Sequence, residues 1–107
     1  MLKKKVIVYV PSTMEVDKEA DVSDILQHTV RELASIAGGA TVEEVKGYWV
    51  AEDGSLVEEK IYQVHVFYED EKENKVITKA KDVARYIKEK LQQEAVSVEI
   101  NGTLNFI

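Results

Sequence analysis

The sequence contains no cysteine and one proline, Pro11, in 107 residues. Without cysteine there is no disulfide, no thiol nucleophile and no thiolate metal site. The two histidines, His28 and His65, are too few to build a zinc site alone. Long apolar stretches are missing as well. The longest unbroken run, residues 6–10, falls far short of the ~20 residues needed to cross a bilayer as a helix. It is also too short for a secretory leader, although the chain starts with Met-Leu-Lys-Lys-Lys, so a cytoplasmic location is expected. No glycine-rich phosphate loop, HExxH, G-x-S-x-G or calcium-loop pattern occurs, so no cofactor and no metal site is expected.

What is present suits one globular domain. Hydrophobic residues make up 45% and charged residues 32%, and a chain this long buries roughly two-thirds of its unfolded surface. The net charge of −6 is unevenly spread. Residues 15–73 hold sixteen acids against five bases, the first fourteen residues hold three lysines and no acid, and all six bases after residue 73 lie between Lys75 and Lys90. Such segregation steers charged partners toward one side of a molecule. A pI near 4.9 argues against direct nucleic-acid binding, which usually takes a basic domain.

Periodicity divides the chain into strands and helices. Residues 3–10 are rich in β-branched residues and stop at Pro11, which predicts a first strand. Residues 12–20 read as a loop. Asp21 or Ser23 is placed to cap a helix whose apolar stripe is Val22, Ile25, Leu26, Thr29, Val30, Leu33 and Ala37, and Gly38-Gly39 closes it. Residues 41–51 and 56–68 form a hairpin around Asp53-Gly54. Residues 69–74 read as a solvated turn. Thr78 is placed to cap a second helix with the stripe Ala80, Val83, Ala84, Ile87 and Leu91. Asn101-Gly102 supplies the two positive φ angles of a type I′ turn and so predicts a closing hairpin over residues 96–107. The order is β-α-β-β-α-β plus one terminal strand: an α+β, ferredoxin-like split βαβ, with an antiparallel sheet and both helices on one face.

A two-residue turn at Asp53-Gly54 pairs 50 with 57, 49 with 58 and 48 with 59. It places Val45, Trp49, Tyr62, Val64 and Val66 beneath the helices. Tyr48, Val50, Val57, Ile61, His65 and Phe67 then fall on the opposite face, joined by Leu104 and Phe106 from the terminal hairpin. A helix-free face carrying Tyr48, Val50, Ile61, His65, Phe67, Leu104 and Phe106 is an interface candidate, so a homodimer is expected. His28 falls on the polar side of helix one. His65 is the one side chain placed for acid–base work, with no carboxylate evidently set to orient it.

Gly38-Gly39-Ala40-Thr41, then Gly47-Tyr48-Trp49, then Asp53-Gly54-Ser55-Leu56-Val57-Glu58-Glu59 resemble the central hairpin of a family of small, functionally uncharacterised bacterial domains. The resemblance covers about a third of the chain and implies a ferredoxin-like fold without supplying a catalytic residue.

Three functions are compatible with these features. The first is a non-enzymatic interaction module that self-associates through the uncovered sheet face. The second is an acidic phage- or plasmid-type inhibitor or adaptor docking on a basic nucleic-acid-handling protein. It would use Asp53, Glu69, Asp70, Glu71 and Glu73 in the turns, with Glu15, Asp17, Glu19, Asp21 and Asp24 as another edge. The third is a small α+β-barrel enzyme using His65, with Tyr48 and Tyr62 as hydroxyl donors.

Overall fold

A computed structural model describes residues 4–15, 18–19 and 22–107. The strands are β1 (Lys4–Pro11), β2 (Thr13–Glu15), β3 (Lys18–Glu19), β4 (Thr41–Val50), β5 (Leu56–Tyr68), β6 (Ser97–Ile100) and β7 (Thr103–Phe106). The helices are α1 (Ser23–Ala37) and α2 (Glu73–Lys90), the second preceded by a 3₁₀ turn at Asp70–Lys72. Five strands make one antiparallel sheet in the order β4-β5-β1-β6-β7, the split βαβ arrangement with one added edge strand. The short pair β2–β3 occupies part of the segment expected to be loop.

The core lies between one sheet face and the two helices. Val6, Val8 and Val10 of β1 alternate inward to meet Tyr62, Val64, Val66 and Tyr68 of β5 and Val98 of β6. Leu33 and Thr29 of α1 and Val76, Ala80, Val83, Ala84 and Ile87 of α2 close over them, as amphipathic helices do over a half-buried sheet. Buried Thr29 directs its hydroxyl to the Ile25 carbonyl at 2.8 Å, which satisfies its one donor. Gly38 ends α1 in the left-handed conformation (φ 97°), donating its N–H to the Ala34 carbonyl.

Three local expectations are corrected. Helix α1 is flanked by Val22 with no side-chain capping bond; Asp21 lies outside the described residues. Helix α2 starts at Glu73, not at Thr78. Glu69 is extended, but residues 70–74 are already helical because Asp70, Glu71 and Glu73 favour a helix N-terminus, and Val76 extends the buried stripe one turn back from Ala80.

The third correction concerns register. The β4–β5 loop has three residues, Glu52, Asp53 and Gly54, between Ala51 and Ser55, whose N–H and C=O pair at 2.9 Å. Gly54 takes a positive φ of 86°, as a three-residue hairpin loop requires, and Asp53 accepts from the Ser55 amide and hydroxyl. Pairing is therefore 50 with 56, 49 with 57 and 48 with 58. One residue of slip moves all of β4 to the opposite face. Val45 and Trp49 lie on the helix-free face, whereas Tyr48 and Val50 lie on the helix side. Pairing in the terminal hairpin is as expected, with Asn101 and Gly102 at φ 50° and 88°.

Candidate functional site

The outer half of the β4–β5 hairpin is not packed under the helices, for β4 has no buried residue along its length. Tyr48, Val50 (68% exposed) and Leu56 (67%) thus stay in solvent although they are on the helix side. On the helix-free face the register lines up Thr41, His65, Ile7, Glu99 and Leu104 in one row across the whole sheet. The adjacent row carries Glu43, Gln63 and Tyr9. Apolar side chains flank these rows: Val45, Ile61, Trp49 and Val57 toward the arm, Phe67 at the other end, Leu104 and Phe106 on β7. Trp49, Phe67, Leu104 and Phe106 (70%) are exposed, whereas Ile7, on the middle strand, is 4% exposed with no helix above it.

Of the expected interface residues, Ile61, His65, Phe67, Leu104 and Phe106 come together on this face. Tyr48 and Val50 do not, and Trp49 and Val45 take their place. Gly47 lies on the same face, where Ile61 covers it: a Cβ there would stand 2.7 Å from Ile61 Cδ1.

His65 is the best-built polar group. Its side chain is only 12% exposed, and Nε2 lies 3.0 Å from Gln63 Oε1 and 3.8 Å from Glu43 Oε1. A carboxylate is therefore beside it after all. Residues 43 and 65 are on neighbouring strands two registers apart, a pairing hidden by the one-residue slip. In the neutral imidazole, Nε2–H donating to Gln63 leaves Nδ1 as the acceptor. Among the described residues Nδ1 has no hydrogen-bond partner and no buried side-chain nitrogen goes unpaired, so Nδ1 reaches solvent. Beside it opens a cleft of about 410 Å³ lined by Ala37, Gly38, Gly39, Ala40, Thr41, His65 and Phe67. Near the row's centre, burial and then the Glu99 charge push the Tyr9 phenol above its ordinary range. Tyr62, one of the expected hydroxyl donors, belongs to the core face. The arrangement can hold a small ligand against an oriented imidazole, and among the described residues no cluster of acids and histidines suits a metal ion.

The acidic residues are dispersed. Asp53 is at the hairpin tip, where the Ser55 hydroxyl and then the Ser55 amide hold its carboxyl below the ordinary range. Glu69, Asp70, Glu71 and Glu73 are at the far end of the 13-residue β5, roughly 40 Å away at ~3.3 Å per residue. Asp70 and Glu73 are engaged by Lys4 Nζ at 3.2 and 2.8 Å, which raises the Lys4 pKa. Asp17 lies outside the described residues. His28, expected in solvent, stacks on Tyr86 at 4.2 Å between ring centres and so ties α1 to α2.

Fold and site together define a small α+β sheet protein of the ferredoxin-like type with a cleft at the end of α1. A phage SAM lyase in complex with S-methyl-5′-thioadenosine shares the fold, with TM-score 0.68 and 18% identity over 97% of this chain and 88% of that one. The same enzyme class in its apo state overlaps 99% of this chain and 89% of that one at 17% identity and TM-score 0.68. The periplasmic divalent cation tolerance protein CutA from Archaeoglobus fulgidus overlaps 75% of this chain and 70% of that one at 16% identity, with a TM-score of 0.44. No family model and no curated protein matches the chain. No helix among the described residues is long and apolar enough to cross a membrane.

Proposed function

We propose that the protein self-associates through the helix-free face of its sheet. The supporting observation is the set of exposed apolar side chains on that face, Trp49, Phe67, Leu104 and Phe106, set around His65, Ile7 and Glu99, which are buried or half-buried. An antiparallel sheet tolerates a wet second face when that face is polar, and this one sets exposed large apolar side chains on either side of its polar rows. Back-to-back packing of two copies would bury roughly 1,200 Å² or more, the size of a stable interface. Phe106→Asp puts an unpaired charge into the contact at a position remote from the helix core, so folding survives and assembly does not. Sedimentation velocity should find this variant monomeric with an unchanged circular dichroism spectrum. A variant that assembles as the parent does contradicts the reading.

A second reading is favoured by a separate observation: the cleft beside His65 in a chain whose fold overlaps that of a phage SAM lyase over nearly its full length. In this reading the protein binds SAM or a product nucleoside such as S-methyl-5′-thioadenosine, and assembly supports that task. Calorimetric titration with both compounds tests it, together with chromatography of SAM incubated with the protein. Saturable heat or conversion of SAM supports the reading; silence in both assays at millimolar ligand contradicts it.

A further inference from the structure

The sheet is open along the outer edge of β4. Among the described residues no strand pairs with that edge, and the pairing with β5 runs from Thr41 to Val50 without a bulge. Long sheet edges are blunted by proline, by a bulge or by charge, and β4 has only its charges.

The hairpin loop fixes which backbone groups face outward. Ala51 donates its N–H to the Ser55 carbonyl, so its backbone turns toward β5, and alternate residues back along β4 do the same. Val42, Glu44, Lys46, Tyr48 and Val50 therefore direct their N–H and C=O groups away from the sheet. An added antiparallel strand must exchange hydrogen bonds with these residues.

The charges select the strand. An antiparallel second β4, related by a two-fold axis at Val45, sets Glu44 of each copy opposite Lys46 of the other. Both residues already have partners on β5, with Lys60 Nζ 3.7 Å from Glu44 Oε1 and Lys46 Nζ 3.3 Å from Glu58 Oε1. Two copies join these into one alternating row: Lys60, Glu44, the partner's Lys46, the partner's Glu58. Moving the axis to Glu44 or to Lys46 sets that residue opposite itself, and like charges repel. Moving it to any other residue of β4 opposes no unlike charges within the strand.

Apolar side chains outside the helix-free face are covered in the same register. Tyr48 and Val50, exposed on the helix side, meet the partner's Val42 and the partner's Ala40. Gly38 and Gly39 leave that approach open, since a Cβ on either would meet nothing within 4 Å.

We propose that the open edge of β4 pairs with β4 of a second copy, antiparallel and centred on Val45, joining two five-stranded sheets into one with all helices on the same side. This surface is separate from the helix-free face. It is one strand wide with two exposed ion pairs, well below the ~1,200 Å² of a standard interface, so it joins copies only near millimolar concentration.

A chain without cysteine allows a specific disulfide trap. At the axis the two Val45 Cα atoms stand about 4.5 Å apart as a non-hydrogen-bonded pair, a distance that a disulfide spans. The two Thr41 Cα atoms stand roughly 27 Å apart at ~3.4 Å per residue. With Phe106→Asp present to remove the face contact, Val45→Cys at about 0.5 mM should cross-link under mild oxidation at least about tenfold faster than Thr41→Cys. Adding Glu44→Lys to the Val45→Cys chain opposes like charges at both sites and should slow cross-linking about fivefold. Adding Lys46→Glu as well opposes unlike charges again and should recover most of that loss. Equal rates for Val45→Cys and Thr41→Cys would overturn the proposal. So would a Glu44→Lys chain that cross-links as fast as its parent, or a charge swap that recovers nothing. Rapid Val45→Cys cross-linking, with the unmodified chain monomeric at about 100 µM, would support the edge contact while the helix-free-face reading fell.

Discussion

Asn101 does more than shape a turn. Its side-chain oxygen accepts from the Lys5 amide at 2.9 Å, and its amide donates to Tyr68 Oη at 2.9 Å, linking the terminal hairpin to β1 and to a fully buried tyrosine. Asn101→Ala loses both bonds, and a longer one from the same amide to Glu73 Oε1 at 3.4 Å, and forces alanine into a left-handed backbone, for an expected cost of about 2–3 kcal/mol in urea unfolding. Asn101→Gly keeps the backbone and loses only the bonds, so it should recover about 1 kcal/mol of that. Equal losses would mean that the side-chain bonds carry the whole effect. Titration gives a second residue-scale expectation. The folded pKa of Lys4 is raised by hydrogen bonds to Glu73 and then Asp70, and that of Tyr9 is raised by burial and then by Glu99. A raised folded pKa contributes stability below the unfolded value that disappears as pH rises through the folded one. Both groups therefore predict a falling urea midpoint above pH 10.0–10.5, the ordinary values for tyrosine and lysine. The double variant Lys4→Gln/Tyr9→Phe should flatten that fall. An equally steep fall in the double variant would assign the effect to other groups.

At the scale of elements, the β4–β5 arm is set apart from the core. It contributes no fully buried residue along β4, and its outer half has no helix over it. Gly54→Ala places a Cβ at φ 86° and strains the loop by about 1 kcal/mol. Amides of residues 48–58 should then exchange faster, with little change in the global unfolding midpoint, because the arm opens locally. A global shift as large as the local one would mean that the arm and core unfold together. The same independence explains which parts of the fold could be read from the sequence. The valines of β1, the helical stripes and Asn101-Gly102 each carry a period or a turn rule that core burial enforces, so strand order, both helices and the terminal register were legible. Nothing buried fixes β4, so its register depended on whether the Asp53-Gly54 loop holds two residues or three, and sequence alone reads either length. That one residue moved Trp49 to the helix-free face and concealed Glu43 beside His65. Helix α2 was legible in its middle, where the apolar stripe is continuous. Its first turn was not, because acids that favour a helix N-terminus look like a solvated loop.

For the whole molecule, the helices cover one face of the sheet and leave the other with a part-buried polar row between exposed apolar flanks. A monomer would present that face and both sides of the arm to water. Two copies that meet on it would cover Trp49, Phe67, Leu104 and Phe106 together and place His65 and its cleft near the edge of the contact. Phe67 belongs to both the face and the cleft, so a ligand in the cleft and assembly should influence each other, and saturating S-methyl-5′-thioadenosine should shift the association constant measurably. An association constant unchanged by that compound would separate the two sites. The most direct measurement of the central claim is the mass of the unmodified chain by sedimentation equilibrium between about 5 and 100 µM. A mass that is a multiple of 12.1 kDa, falling toward one chain on dilution or with Phe106→Asp, is what a shared helix-free face predicts. A mass of one chain throughout that range would contradict it.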